Sequence, residues 1–175
     1  MLLIRIATRA LVAASDAPRR AAPAAQPGTV PSVIVRVLVV DKSDSARAGL
    51  VDLLARRQSL EVVAAVATAD RAVEAITDVA PDLVLIDLHH GDLDGPAICA
   101  ALRRVTRVPL VLLVTFMMRE RWILLKAAGA SEFLLKQVDA AALERDLVSF
   151  AREDRKRIEN SGKTLLPESQ GGDNA

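Results

Sequence analysis

The stretch Leu83-Val84-Leu85-Ile86-Asp87 is the part of the sequence that decides the fold. Its four aliphatic residues do not alternate with polar ones, which is typical of a strand buried on both faces, as in a parallel sheet covered by helices. Three other aliphatic runs also end on a polar residue: residues 37–40 before Asp41, 110–114 before Thr115, and 133–135 before Lys136. Because ligands of such sheets bind beyond the carboxyl ends of the strands, we expect the four polar side chains to converge at one edge.

Strand and helix patterns alternate through the central part of the chain. Strands are predicted near residues 35–41, 60–67, 82–87, 109–115 and 131–136, and helices near 44–57, 69–80, 94–105, 117–128 and 139–157. Candidate capping residues precede three of these helices: Asp44 or Ser45, Asp94, and Asp139. Strict alternation requires right-handed crossovers, so the predicted fold class is α/β, with a doubly wound five-stranded parallel sheet.

The sequence predicts one folded domain with a tail at each end. Residues 1–32 are rich in Ala, Pro and Arg, and we expect a disordered extension because such a segment buries too little apolar surface to order itself. Residues 33–152 are predicted to form the domain. Residues 153–175 are predicted to be a helix end followed by a disordered polar tail.

Composition excludes several classes of function. Aromatic residues make up 2% of the chain, which leaves no platform for stacking bases, and the net charge of +1 argues against a strongly basic nucleic-acid surface. No apolar stretch approaches the roughly 18 residues of a membrane helix. The single cysteine, Cys99, cannot form an internal disulfide and is predicted to be a buried helix residue. A cytoplasmic location is therefore expected, with neither a nucleic-acid nor a membrane partner.

The order Asp41, Asp87, Thr115 and Lys136 at successive strand ends resembles the receiver domain of two-component response regulators, in particular the NarL/LuxR-like subgroup. Further strings carry the resemblance: residues 47–54, Asp94-Gly95, Val108-Pro109, and Lys126-Ala127-Ala128-Gly129-Ala130 before Phe133. Together they cover roughly residues 35–150, and the combined signal is much more specific than any single string. The resemblance implies the flavodoxin-like (βα)5 receiver fold.

The resemblance also implies a chemistry. Asp87 would accept a phosphoryl group from a histidine kinase, and Asp41 with Asp87 would hold Mg²⁺, which requires hard oxygen ligands. Thr115 would hydrogen-bond the phosphoryl oxygens and Lys136 would pair with them, because phosphoryl transfer needs positive charge on those oxygens. Phe133 and Thr115 occupy the positions of the family's switch residues. No enzymatic activity is implied beyond self-phosphorylation from a phosphodonor.

Two residues depart from the family's pattern at this site. Lys42 stands where a second acidic residue is usual, so Lys42 and Lys136 balance the charges of Asp41 and Asp87. A protonated lysine has no lone pair for a metal and repels it, which makes Mg²⁺ binding doubtful. Phe116 stands where the family has a small residue, and its ring could cover Asp87.

Three interpretations of the site remain open. The charge count favours a degenerate receiver that signals through protein contacts. The first alternative is a stand-alone receiver phosphorylated on Asp87, with a weak metal held by Asp41 and a backbone carbonyl. The second alternative is a small-ligand-binding module in which Phe116, His89 and His90 roof a pocket. Adjacent histidines at a strand end point in opposite directions, so a solvated loop is favoured over a transition-metal site.

The start of the fourth helix is predicted to be a partner surface. Met117, Met118 and Trp122 lie there, and exposed methionine and tryptophan are efficient binding anchors. In receivers this helix forms a face with the fifth strand and fifth helix. The expected partner is a histidine kinase, another regulator or a second copy of the chain. The alternative for Trp122 is packing into the core.

Overall fold

A computed structural model describes residues 34–89, 94–136 and 139–163, with side chains described as far as residue 160. Strands and helices alternate as predicted: β1 (Val35–Val40), α1 (Asp44–Ala55), β2 (Leu60–Val66), α2 (Ala69–Val79), β3 (Leu83–Leu88), α3 (Gly95–Arg103), β4 (Leu110–Val114), α4 (Arg119–Ala127), β5 (Glu132–Leu135) and α5 (Ala140–Lys163). All four strand pairings are parallel, and the strand order is β2-β1-β3-β4-β5. The predicted α/β fold class is confirmed. The predicted tails at residues 1–32 and 164–175 lie outside the described residues.

The central strands β1, β3 and β4 are buried on both faces, which is why they read as nearly unbroken aliphatic runs. Val35, Val37 and Val39 of β1 pack against leucines of α1 and α5 on one side. Leu38 and Val40 of the same strand pack on the other side, in a cluster that includes residues of α2, α3 and α4. Successive side chains of a strand point to opposite faces, so each face requires its own apolar residue at every second position.

The helix starts match the predicted capping residues only in part. Ser43, not Asp44 or Ser45, is the N-cap of α1: its backbone is extended, and its hydroxyl accepts a hydrogen bond from Ala46 N–H at 3.4 Å. Asp94 precedes α3 but makes no side-chain capping bond. Asp139 does cap α5, because its Oδ1 accepts hydrogen bonds from the backbone N–H groups of residues 141 and 142, each at 2.8 Å.

Helix α5 continues to Lys163, beyond the end predicted near residue 157. Its outer turns contact the body of the domain through Arg155, whose Nη2 lies 2.6 Å from Oδ1 of Asp82 at the start of β3. Ser149 also donates to Glu153 one turn further along, at 3.0 Å.

No helix in the described ranges has both the length and the apolar composition that crossing a bilayer requires.

Candidate functional site

The strand order brings the two predicted acidic residues to the middle of the carboxyl edge of the sheet. Strands β1 and β3 are direct neighbours, with Val40 paired to Ile86, so Asp41 and Asp87 follow on adjacent strands. Both side chains are buried, with exposed fractions of 1% and 8%. Lys136 follows β5, and its backbone N–H donates to the carbonyl of Val114 at 2.8 Å. The site is therefore positioned by regular strands and not by long loops.

Asp87 is paired with Lys136. The Lys136 ammonium contacts Oδ1 of Asp87, and about a quarter of the lysine side chain is exposed. Burial raises the pKa of Asp87 above its ordinary value of 3.8, and the charge of Asp41 adds to that increase. The hydrogen bond and charge of Lys136 lower the pKa of Asp87, without cancelling the effect of burial. Ionised Asp87 therefore depends on its lysine partner.

Asp41 has one satisfied oxygen and one unsatisfied oxygen. Its Oδ1 accepts a hydrogen bond from Ser43 N–H at 2.8 Å and lies 2.9 Å from Nε2 of His89. Its Oδ2 is buried and has no hydrogen-bond partner among the described residues. A buried carboxylate oxygen without a partner is unfavourable, since burial removes its hydration without replacing it. This oxygen is therefore available to a cation that enters the site.

His89 contacts Asp41 directly, which the solvated-loop interpretation did not predict, although the small-ligand alternative placed His89 above the site. The imidazole is 29% exposed and touches the buried carboxylate of Asp41. Strand β3 extends to Leu88, so His89 leaves the sheet two positions after Asp87 and on the same face. The spacing of two residues was the sequence signal that could have identified it. His90 lies outside the described residues.

Lys42 lies at the border of the site. It is exposed, and it lines an open cavity of about 230 Å³ together with Asp41, Asp87 and Asp94. The nitrogen atom beside Asp41 belongs to His89, and the ammonium beside Asp87 belongs to Lys136. Lys42 thus adds positive charge at the mouth of the cavity.

The donor atoms suit a divalent cation, but they are not the all-oxygen set that Mg²⁺ prefers. One ligand atom each from Asp41, Asp87 and His89 lies within 4.8 Å of the others. Two of these atoms are carboxylate oxygens, and the third is the Nε2 nitrogen of His89. The lysine at position 42 supplies no further oxygen. The residues therefore fit a metal ion that accepts one nitrogen ligand better than they fit magnesium.

The predicted switch residue Thr115 and the predicted covering residue Phe116 line a shallow cleft. Thr115 and Phe116 are both exposed, and with His89 and Arg121 they line a cleft of only about 10 Å³. Phe133 is partly buried against the core on the α4 side of the sheet. The hydroxyl of Thr115 is therefore open to solvent at the carboxyl end of β4.

Helix α4 presents a different set of side chains from the one the sequence suggested. Trp122 is half-buried and packs edge-on against Phe133, with ring centroids 5.0 Å apart. Met117 is also partly buried, whereas Met118 is 56% exposed. The other exposed apolar residues of the helix are Ile123 and Leu124, with exposed fractions of 58% and 62%. Sequence reasoning missed this aliphatic pair, which follows Trp122 directly.

A parallel sheet in the order β2-β1-β3-β4-β5, with two buried aspartates and a paired lysine at its carboxyl edge, defines the receiver class of signalling domains. Residues 37–147 match the model of the response regulator receiver domain family, and the chain belongs to this family. The resemblance to receivers of two-component signalling is therefore confirmed.

Relatives differ in what they carry beyond the receiver. LiaR, a transcriptional regulatory protein of Bacillus subtilis, is 27% identical over 145 residues, covering 81% of this chain and 68% of LiaR. A protein-glutamate methylesterase/protein-glutamine glutaminase of a Nocardioides species is 31% identical over 136 residues, covering 76% of this chain but 36% of that protein.

Among solved structures, the signal receiver domain of the response regulator NarL from Mycobacterium tuberculosis superposes with a TM-score of 0.61. It is 26% identical and covers 69% of this chain and 98% of that domain. The chain thus shares its receiver region with regulators of transcription and with enzymes alike.

Proposed function

We propose that this receiver is atypical and regulates its partners through protein contacts, without routine phosphorylation of Asp87. The observation that carries the proposal is the pair of departures around Asp41: Lys42 in place of a second acid, and His89 Nε2 on the carboxylate at 2.9 Å. Both put a cationic or hydrogen-bonding group where an oxygen-liganded metal needs carboxylate oxygens.

The charge balance supports the same conclusion. A lysine in place of an acid replaces attraction of a cation by repulsion, so this exchange at the border of the site weakens metal binding. Asp41 and Asp87 carry two negative charges. Lys136 pairs with Asp87, and the cavity beside the two aspartates is lined by Lys42 and Asp94, whose charges are opposite. A phosphoryl group transferred to Asp87 needs its oxygens neutralised, and a weakly held metal leaves that task to Lys136 alone.

The proposed contact surface is the exposed apolar part of α4 and the edge strand β5. Met118, Ile123 and Leu124 are exposed on or next to α4, and Leu135 of β5 is exposed as well. Exposed large apolar side chains on one helix and the adjoining edge strand favour a protein-binding surface. The partner we propose is a histidine kinase, another regulator or a second copy of the chain, in the cytoplasm, and the protein has no enzymatic turnover of its own.

The test compares three variants with the natural sequence. The full chain is incubated with acetyl phosphate and Mg²⁺, and its intact mass is measured. We expect no stoichiometric phosphoryl adduct on the natural chain. Lys42→Asp restores an acidic pair and is expected to gain an adduct, which the double variant Lys42→Asp/Asp87→Asn loses. A stoichiometric adduct on the natural chain that disappears in Asp87→Asn contradicts the proposal.

A stand-alone phosphorylatable receiver is the second candidate. It is favoured by the retained contact between Asp87 and Lys136 and by the exposed hydroxyl of Thr115 at the end of β4. The small-ligand interpretation has less support, because Phe116 and His89 border a cleft of only about 10 Å³. The mass measurement above separates the first two candidates directly.

A further inference from the structure

We propose that Asp41, Asp87 and His89 form a binding site that prefers a divalent first-row transition metal, such as Co²⁺ or Zn²⁺, to Mg²⁺. One donor atom from each residue lies within 4.8 Å of the others, and two of the three side chains are buried. The inference concerns metal binding alone and holds whether or not Asp87 accepts a phosphoryl group.

The unpartnered oxygen of Asp41 indicates that the site is built for a ligand. Asp41 is 1% exposed, yet its Oδ2 has no hydrogen-bond partner among the described residues. Buried polar atoms are nearly always paired, and a bound water or ion is one way in which an exception is completed. Asp41 also lines the open cavity of about 230 Å³ beside Asp87, which gives an ion and its water ligands a path to both carboxylates.

The nitrogen of His89 sets the class of metal. Its Nε2 faces Asp41 Oδ1 at 2.9 Å, so the imidazole already points toward the carboxylates. Imidazole suits zinc, copper, iron and nickel, whereas magnesium takes oxygen ligands and sheds its water reluctantly. A metal ligand must offer a lone pair, so an ion bound at Nε2 replaces the hydrogen bond that this nitrogen makes with Asp41.

The lysines strengthen this preference. Lys136 pairs with Asp87, and Lys42 lines the same cavity as the carboxylates, so the two lysines reduce the net negative charge that attracts a cation. Magnesium binding relies on that charge more than transition-metal binding does, since the latter gains from the bond to nitrogen. The replacement of an acid by lysine therefore weakens Mg²⁺ binding more than it weakens Co²⁺ or Zn²⁺ binding.

The test uses the chelator-treated full chain and two probes, Co²⁺ and Mg²⁺. Co²⁺ is titrated by visible absorption and calorimetry, and Mg²⁺ is then added as a competitor. We expect Co²⁺ to bind tighter than Mg²⁺ by about tenfold or more, and His89→Gln to lower Co²⁺ affinity by at least the roughly 10- to 100-fold that loss of an outer-shell partner brings. Mg²⁺ affinity should change little in this variant.

Matched controls identify the site. His90→Gln alters the neighbouring histidine and is expected to leave the Co²⁺ spectrum and affinity unchanged, while Asp41→Asn should abolish both. Circular dichroism checks that each variant folds, and His89→Asn provides a second, smaller replacement. Equal affinities for the two ions, or a Co²⁺ spectrum that survives His89→Gln, overturn the inference. Phosphorylation supported by Mn²⁺ but not by Mg²⁺ would contradict the proposed function and leave the metal preference intact.

Discussion

Nε2 of His89 lies 2.9 Å from Oδ1 of Asp41, so the imidazole is within hydrogen-bond distance of the carboxylate that follows β1. The contact joins two central strands of the sheet at their carboxyl ends, beside the Asp87–Lys136 pair. Nε2 of this ring either hydrogen-bonds Asp41 or, without its proton, offers a nitrogen ligand, which links the proposal for an atypical receiver to the inferred metal preference.

Asp87→Asn is expected to stabilise the protein at neutral pH and to do so less in acid. Burial raises the pKa of Asp87 in the folded state, so folding is favoured when this carboxyl is protonated. That stability is fully present below the ordinary value of 3.8 and is lost as pH rises through the raised pKa of the folded state. Urea unfolding of both proteins between pH 3 and pH 7 measures the difference.

The control for this titration is Asp52→Asn, at an exposed position of α1. We expect it to change the free energy of unfolding by less than about 0.5 kcal/mol at every pH, as exposed substitutions usually do. A constant difference between Asp87→Asn and the natural chain across the pH range contradicts the prediction.

Gly129→Ala is expected to destabilise the domain by about 1–3 kcal/mol, the usual scale of an unfavourable backbone conformation. Gly129 has φ +108°, and a Cβ there would lie 2.9 Å from Cγ of Arg103. That arginine cannot move away freely, since its Nη2 donates to the Gly129 carbonyl at 2.7 Å. Thermal and urea unfolding measure the loss.

Gly49→Ala is the matched substitution with the opposite sign. Gly49 lies within α1, and a Cβ there would meet no atom within 4 Å. Alanine is the better helix former, so we expect a gain of about 0.5–1 kcal/mol. If the two alanine variants proved equally stable, the backbone argument for Gly129 would be wrong.

Cys99 is expected to resist thiol reagents in the folded protein. The side chain is fully buried in α3, and burial raises the pKa of its thiol to about 11. Since the thiolate is the reactive form, Ellman's reagent at pH 8 should label Cys99 only after the domain opens. The labelling rate should rise with urea in parallel with global unfolding, and rapid labelling without denaturant would contradict the described packing.

The side chains of α4 should separate into a structural group and an exposed group. Trp122→Ala removes a ring that packs on Phe133 and is expected to destabilise the domain by up to about 3 kcal/mol. The double substitution Ile123→Ser/Leu124→Ser changes exposed residues and should stay within about 0.5 kcal/mol of the natural chain. Chemical unfolding measures the change in the free energy of unfolding for both variants. Equal losses would show that the buried and exposed faces of α4 are wrongly assigned.

The parts of the fold that depend on the pattern of aliphatic residues along the chain could be predicted. The aliphatic run before Asp87 required burial on both faces, and a parallel sheet is the structure that provides it. The convergence of Asp41 and Asp87 followed from topology, since parallel strands end at one edge.

The details that were missed depend on tertiary context. His89 reaches Asp41 because it follows the end of β3 directly and β3 is the neighbour of β1, and strand bounds are poorly specified by local sequence. In α4, Trp122 is followed by Ile123, Leu124 and Leu125, so the apolar pattern does not single out one face. Only packing against Phe133 shows which side is buried.

Helix α5 extends well beyond the hydrophobic core of the domain. Its last core residue is Ala151, and the twelve residues from there to Lys163 span about 18 Å of helix. Arg155 contacts Asp82 at the start of β3, so this segment lies at the edge opposite Asp87. Because of this length, a rotation of α5 by a few degrees at the core would displace its far end much more than the turns packed on the sheet.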